Sequence, residues 1–251
     1  MKRLLPPCKR TLASMTGGEL CKKDFKLLLS LGQGSFGKVY KVIHIATGDE
    51  YAVKVICKER AKGESMLKQI QTEIEVMSMC EHPNVVRMVT YFENEANIYL
   101  VMELGGENLY SHLFKCKKYT EEQARATIHQ VLEAINYLHK MTPPVIHRDL
   151  KPENILTFAG GIVKLADFGW AGMHNNLRQT FCGTPDYLSP EMILRTGHTE
   201  KIDIWAIGIL AYELLTGKAP FSPENIKDRF DRLRVMESKI LVISFNSRKG
   251  K

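Results

Sequence analysis

No two of the chain's six cysteines (8, 21, 57, 80, 116 and 182) are spaced as CxxC, which argues against a zinc site or a disulfide framework and favours a reducing compartment. No apolar run reaches the roughly 20 residues that a bilayer crossing needs. The most apolar segment, KIDIWAIGILAYELLTG at 201 to 217, is broken by Asp203 and Glu213, and it reads as a helix buried in a soluble core. The opening MKRLLPPCKR offers two leucines and then two prolines, too short an apolar stretch for a signal peptide, so secretion is not expected. Internal repeats and low-complexity tracts are absent, and 44% hydrophobic with 25% charged residues excludes a disordered or fibrous chain. There is no acidic excess either: 35 Lys and Arg against 28 Asp and Glu give +7, much of it at the two ends. That excess reads as solvated surface, with neither nucleic acid nor membrane expected as a partner.

What is present is length and pattern. At 251 residues the chain can bury a sizeable core, as one large domain or two lobes. Residues 1 to 23 carry little periodicity and read as a flexible basic extension. From Asp24 the pattern is β: FKLLLSLGQ, KVYKVIHI and EYAVKVI, the last two joined by the turn residues ATGDE, predict a three-stranded antiparallel meander. ESMLKQIQTEIEVMSMC places Met66, Ile70, Ile74 and Met77 at helical spacing, and HPN stops the helix. NVVRMVTYF and NIYLVMEL add two strands, so residues 24 to 104 are expected to form a small lobe of five antiparallel strands and one helix. GGEN at 105 to 108 suggests a hinge. Beyond it Thr120 and Gln123 form a capping box, and Ala124, Ile128, Val131, Leu132, Ile135 and Leu138 make one apolar stripe. The second lobe, 105 to 234, is therefore expected to be mainly helical, followed by an atypical tail at 235 to 251, and the fold class is α+β.

LGQGSFGKV carries GxGxxG at Gly32, Gly34 and Gly37, and also GxxxxGK. A dinucleotide fold needs a helix straight after the glycines, and a Walker loop needs Ser or Thr after the lysine. Here Val39 follows Lys38 and the chain continues as a strand. What remains is a glycine-rich hairpin whose amides can approach phosphate oxygens, or a plain flexible hairpin. In YAVKV, Ala52 and Lys54 share one face of a strand, so Lys54 can lie beneath the hairpin while Val53 and Val55 pack behind. A strand lysine is commonly just solvated, but Glu73 on the helix is a candidate partner that would fix the ammonium where an α- or β-phosphate sits.

GxGxxGxV, AVK, HRDLKPEN at 147 to 154, DFG at 167 to 169 and SPE at 189 to 191 occur in the order and approximate spacing of a eukaryotic protein kinase, which residues 24 to 234 resemble. The resemblance implies a bilobal kinase fold with ATP in the cleft between the lobes. It implies that Asp149 orients the substrate hydroxyl and accepts its proton, that Lys151 neutralises charge on the phosphoryl group, and that Asn154 and Asp167 hold Mg2+. Around the adenine it implies Leu31, Val39, Ala52 and Leu156 as apolar walls, Met102 as gatekeeper, and the backbone of Glu103 and Gly105 as hinge partners. HRDLKPEN and GTPDYLSPE resemble kinases acting on Ser or Thr, with Thr184 contacting the catalytic loop and Tyr187 a structural residue. Thr180 takes the usual activation-loop phosphosite, with Arg148 as receiver of its phosphate. Arg178 precedes Thr180 by two, and Glu153 is an acid that could attract such an upstream arginine; Cys182 reads as an inert small side chain.

Trp170 directly after DFG, TFCGTPDYLSPEMI and GHTEKIDIWAIGILAYELLTGKAPF resemble the Aurora family, whereas DFKLLLSLGQGSFGKVY is about equally similar to Polo-related or calcium-kinase-group sequences. The Aurora resemblance implies protein substrates, a role in cell division, an activating scaffold protein docked on the small lobe, and a place in the cytoplasm or nucleus, at the spindle or centrosome. The chain departs from the family after APF at 219 to 221: thirty residues remain, 223 to 234 can form one helix, and SKILVISFNSRKGK does not resemble a kinase. The last helices are expected to be missing, leaving Glu191 as a buried carboxylate without its usual arginine, with Arg229, Arg232 and Arg234 as candidate substitutes. Two classes follow, an active serine/threonine kinase and a truncated, weakly active or inactive ATP-binding or scaffold protein. Intact Lys54, Asp149, Asn154 and Asp167 favour the first.

Overall fold

The computed structural model describes residues 20–33, 37–61, 63–173, 185–221, 233 and 236. They form two compact units: one holds the described residues up to Glu107 together with Leu156–Met173, the other Asn108–Ile155 and the described residues beyond Met173.

The first unit is built on five strands, β1 (Phe25–Gln33), β2 (Lys38–His44), β3 (Glu50–Cys57), β4 (Met88–Glu93) and β5 (Asn97–Glu103), in the order β1-β2-β3-β5-β4, antiparallel throughout. The β-branched and aromatic content of these segments suits a half-buried pleated surface. On one face Val42, Val53, Tyr99 and Val101 form a core against Phe25, Tyr40, Tyr51, Val55 and Phe92. Phe92 stacks on Tyr99 with ring centroids 4.7 Å apart and on Phe25 at 5.8 Å. Side chains alternate along a strand, so with Val53 and Val55 committed to that core, Ala52 and Lys54 must take the opposite face. The expected sheet and its helix, α1 (Glu64–Met79), are both present. Ile70, Ile74 and Met77 are buried as the spacing predicts, while Met66, in the first turn, is 36% exposed.

A single cut after residue 104 does not describe this unit. Leu156–Met173 returns to it, because the hairpin of β7 (Ile155–Thr157) and β8 (Val163–Leu165) uses its backbone there. Gly106 N–H donates to the Thr157 carbonyl at 2.7 Å, Thr157 N–H to Glu107 at 2.9 Å, Leu165 N–H to Asn84 at 2.9 Å and Val86 N–H to Leu165 at 2.8 Å. Backbone donors committed this way cannot leave without exposing unpaired groups.

The second unit contains α2 (Leu109–Cys116), α3 (Glu121–His139), α4 (Pro190–Leu194), α5 (Lys201–Thr216) and the two-residue strand β6 (Val145–Ile146). The capping box is formed: Gln123 N–H donates to Thr120 Oγ1 at 3.2 Å and Thr120 N–H to Gln123 Oε1 at 3.0 Å. The buried stripe of α3 runs through Ala124, Thr127, Val131, Ala134, Ile135 and Leu138. Leu132, expected in that stripe, lies one position off it and is 41% exposed, and Ile128 is half-buried. α3 packs on α5. The expectation of a fully embedded α5 needs correction: Ile202, Ala206, Ile207, Ile209, Leu210 and Leu214 are buried, but Ile204, Tyr212 and Leu215 are exposed. The helix ends at Gly217, whose φ of 82° and contact with the α2 terminus admit no side chain, since a Cβ there would overlap the Lys117 carbonyl oxygen. Among the described residues the cysteines are free, and no helix is long and apolar enough to cross a membrane.

Candidate active site

The glycine hairpin between β1 and β2 lies at the edge of the first unit's sheet. Gly37 sits so close to β3 that a Cβ would overlap the Val55 carbonyl oxygen and come within 2.9 Å of its carbon. Around Gly32, by contrast, a Cβ would meet nothing within 4 Å among the described residues. Gly34 lies outside the described residues.

One register step away, Lys54 pairs with Val39 across β2 and β3. Its ammonium is 2.6 Å from Glu73 Oε1 on α1 and 3.1 Å from Asp167 Oδ1, so the partner expected from sequence is in place together with a second one. Lys54 and Glu73 are almost wholly buried, their side chains 4% and 1% exposed. Burial alone would lower the Lys54 pKa, but the two carboxylates outweigh it and hold the pKa above its ordinary value. Glu73 is pushed up, by burial first and by Asp167 second, against the pull of Lys54. Glu73 Oε2 is buried without a hydrogen-bond partner among the described residues. Two carboxylates therefore share one ammonium. Asp167 also accepts from the Gly169 N–H at 3.3 Å, and its φ of 59° is a left-handed conformation unusual for aspartate. Its neighbour Phe168 is fully buried, which anchors the strained turn.

Leu31, Val39, Ala52, Met102, Glu103, Gly105 and Leu156 all belong to this unit. Ala52 opposes Met102 across β3 and β5. A Cβ on Gly105 would come within 3.1 Å of Leu156 Cδ1 and of the Phe158 ring, so the glycine lies directly on the β7–β8 hairpin.

In the second unit, Asp149, Lys151 and Asn154 converge. Asp149 Oδ2 accepts from Lys151 Nζ at 3.0 Å and from Asn154 Nδ2 at 2.9 Å. The same amide nitrogen donates to the Asp149 carbonyl at 2.8 Å. A 3-10 turn, Pro152–Asn154, closed by Asn154 N–H on the Lys151 carbonyl at 3.0 Å, sets this arrangement. Arg148, with φ of 68°, precedes it in a left-handed conformation.

One unit thus holds a strand lysine between a helix glutamate and an aspartate, and the other an aspartate cradled by a lysine and an asparagine. Residues 25–249 match the protein kinase domain family. The chain belongs to the protein kinase family. This kinase is 42% identical over 223 residues to an Aurora/IPL1-related protein kinase 2 of Caenorhabditis briggsae, covering 87% of the chain and 72% of that relative. It is 44% identical over 200 residues to an Aurora kinase of Schizosaccharomyces pombe, covering 78% of the chain and 56% of the relative. To Aurora kinase A-B of Xenopus laevis it is 38% identical over 221 residues, covering 86% and 53%. The chain thus spans between about half and three quarters of the length of these relatives. It is an Aurora-like serine/threonine kinase domain.

In the second unit Asn154, its amide nitrogen committed to Asp149, presents its carbonyl oxygen as an acceptor, and in the first unit Asp167 supplies a carboxylate; each is an oxygen donor of the kind a hard divalent cation takes.

Two residues of this kinase escaped the sequence reading, which took them only as interruptions of an apolar segment. Asp203, 1% exposed on α5, accepts from His147 N–H at 2.9 Å and His139 Nε2 at 2.8 Å through Oδ2, and from Arg148 N–H at 2.9 Å through Oδ1. It holds the HRD backbone in its left-handed turn. The signal was an acid amid core positions, where an ionised group persists only if donors surround it. Glu213 accepts from the buried Tyr187 hydroxyl. Burial raises its pKa most, the Tyr187 bond opposes, and Glu153 and Asp186 raise it further, so three acids gather around Tyr187.

Glu191 is half-buried, not buried as expected, in the first turn of the five-residue α4. Thr180, Arg178, Cys182 and Thr184 lie outside the described residues, as do Arg229, Arg232 and Arg234.

Proposed function

We propose that this kinase transfers the γ-phosphate of ATP to serine or threonine hydroxyls of protein substrates, favouring those with arginine upstream. The observation that carries the reading is the Lys54, Glu73 and Asp167 contact. Burying such charges is at best neutral for stability, and a net negative set with an unpartnered oxygen has no packing rationale; a ligand bearing phosphates and a cation supplies one. Lys54 would hold the α- or β-phosphate, with Gly32, Gly34 and Gly37 giving backbone amides. Leu31, Val39, Ala52, Met102 and Leu156 would enclose the adenine, and the Glu103 and Gly105 backbone would hydrogen-bond its edge. Asn154 and Asp167 would hold Mg2+, which when bound neutralises charge on the phosphates. Asp149 would orient the substrate hydroxyl and take its proton, and Lys151, already 3.0 Å from Asp149, would balance charge beside it.

Glu153 and Glu213 near Tyr187 give an upstream arginine two carboxylates. Phosphorylation of Thr180, received by Arg148, would switch the kinase on. By analogy with its Aurora relatives it would act in cell division, at the spindle or centrosome in the cytoplasm or nucleus, with an activating protein docked on the first unit.

The test is transfer of labelled phosphate from ATP to a serine peptide with upstream arginines, against Asp149→Asn. Loss of a positioned base lowers turnover by about 100-fold or more. Equal turnover by wild type and Asp149→Asn would overturn the assignment. A wild-type chain that gains melting temperature with Mg2+ and ATP yet transfers nothing would establish the nucleotide-binding, inactive alternative.

A further inference from the structure

We propose that Lys164 is a positioning residue for purine recognition, acting through the side chain of Glu103. The inference rests on the hinge assignment above, and it concerns a lysine no motif singled out. Lys164 Nζ lies 2.8 Å from both carboxylate oxygens of Glu103, and the two side chains are 16% and 18% exposed. Glu103 Oε1 also accepts the Arg87 N–H at 2.7 Å, while Glu103 N–H donates to the Arg87 carbonyl at 3.0 Å. Glu103 is therefore fixed through backbone and side chain alike. On its other side, the Lys164 ammonium lies 4.6 Å from the centroid of the Phe158 ring, and two atoms of that ring lie 3.1 Å from where a Gly105 Cβ would be. Lys164 thus touches the side chain of one residue whose carbonyl would meet the purine and the aromatic ring that backs the other.

The chemistry gives this arrangement a use. Purine recognition by backbone groups has no side chain to adjust it, so its fidelity depends on how rigidly the carbonyl and amide are held. A surface ion pair contributes little to stability, but here both charges are mostly screened from water and the contact is bidentate. Removing the ammonium leaves the Glu103 carboxylate with the Arg87 N–H alone and takes away the cation that holds the Phe158 ring against Gly105, so the backbone at 103 to 105 is held less rigidly. The damage would fall on the base and not on the phosphates, which are held through Lys54 and the glycine hairpin.

The experiment compares wild type, Lys164→Met and Lys164→Arg in the full chain. Direct binding of fluorescent ATP and GTP analogues is measured beside phosphate transfer. Lys164→Met should raise the ATP Kd and KM about tenfold, the loss of one well-made hydrogen bond to the base. GTP binding should change less than twofold, so any preference for ATP narrows, while kcat stays within twofold. Lys164→Arg, which can donate to both carboxylate oxygens, should recover most of the ATP affinity. Unchanged ATP Kd and ATP-to-GTP ratio in a Lys164→Met protein that melts like wild type overturns the proposal. So does a parallel loss of kcat, ATP and GTP binding, which marks a merely structural pair. A wild type that discriminates between the nucleotides but transfers no phosphate refutes the kinase mechanism and leaves the positioning role to the Kd data; one that binds neither nucleotide refutes both.

Discussion

Replacing Asp203 by asparagine should damage catalysis more than stability. The aspartate satisfies two backbone N–H groups, of His147 and Arg148, through different oxygens, and His139 shares one of them. Asparagine has one oxygen, so in either orientation its NH2 faces a buried backbone donor. One unsatisfied donor costs about 1–3 kcal/mol, and loss of the charge weakens the surviving bonds by roughly 1 kcal/mol more. Against that stands Arg148 at φ 68°, a conformation costing on the order of 1–3 kcal/mol for a residue with a side chain. The two magnitudes are comparable, so the turn gains by relaxing. Asp149 follows it, because Asp149 N–H donates to His147 Nδ1 at 3.4 Å and its carboxylate is set by the next turn of chain. A shift of about 1 Å in a catalytic group costs about 100-fold in rate. Turnover of Asp203→Asn should fall by about that factor, with the urea midpoint dropping by the equivalent of roughly 2–4 kcal/mol. Ile209→Ala on the same helix, buried at 4% exposure, should cost about the same stability while leaving kcat near wild type below its unfolding range. Equal loss of kcat in both variants, or kcat within threefold of wild type in Asp203→Asn, would refute the reasoning.

Gly37→Ala should raise the ATP Kd at least about tenfold and lower stability by about 1–3 kcal/mol, because the Val55 carbonyl blocks the new methyl and the hairpin must lift away; nucleotide titration and a melting scan read both. Glu213→Gln should flatten the pH dependence of stability. The Glu213 pKa is raised in the fold, so its contribution is fully present below about pH 4.5, the ordinary value, and is lost as pH rises through the folded pKa. The variant should therefore gain on wild type from pH 4.5 upward in urea titrations, and lose its preference for peptides with upstream arginine.

The sheet was legible because its segments alternate in period two and are β-rich, and α1 and α3 because their apolar positions recur at three and four; the structure carries all of these. Lys54 and Glu73 could be paired in advance because strand alternation put Lys54 opposite the valines, whose packing side was fixed by their apolarity. The sequence reading failed where a residue's neighbours come from far along the chain. Leu132 looks like a member of the α3 stripe until the angular position of α5 selects Thr127 and Ala134 instead. Leu156–Met173 looks like part of the second lobe because it follows the catalytic stretch, and only its backbone bonds to Asn84, Val86, Gly106 and Glu107 assign it to the first unit.

Glu73 and Asp203 show why an acid within an apolar helix cannot be classified from sequence. Each sits among core residues and each is 1% exposed, so the pattern presents them identically. Their surroundings differ in one respect. Both Asp203 oxygens are met by donors of its own unit, two of them backbone groups that the fold must satisfy anyway, so its charge is consumed in holding the chain. Glu73 spends one oxygen on Lys54 and leaves the other bare, and the lysine must also serve Asp167. A buried carboxylate kept partly unsatisfied is tolerated only where something other than folding selects it, since replacing such a group by an apolar side chain is often neutral or stabilising. Satisfaction among the described residues thus separates the architectural acid from the one for which a ligand role is proposed.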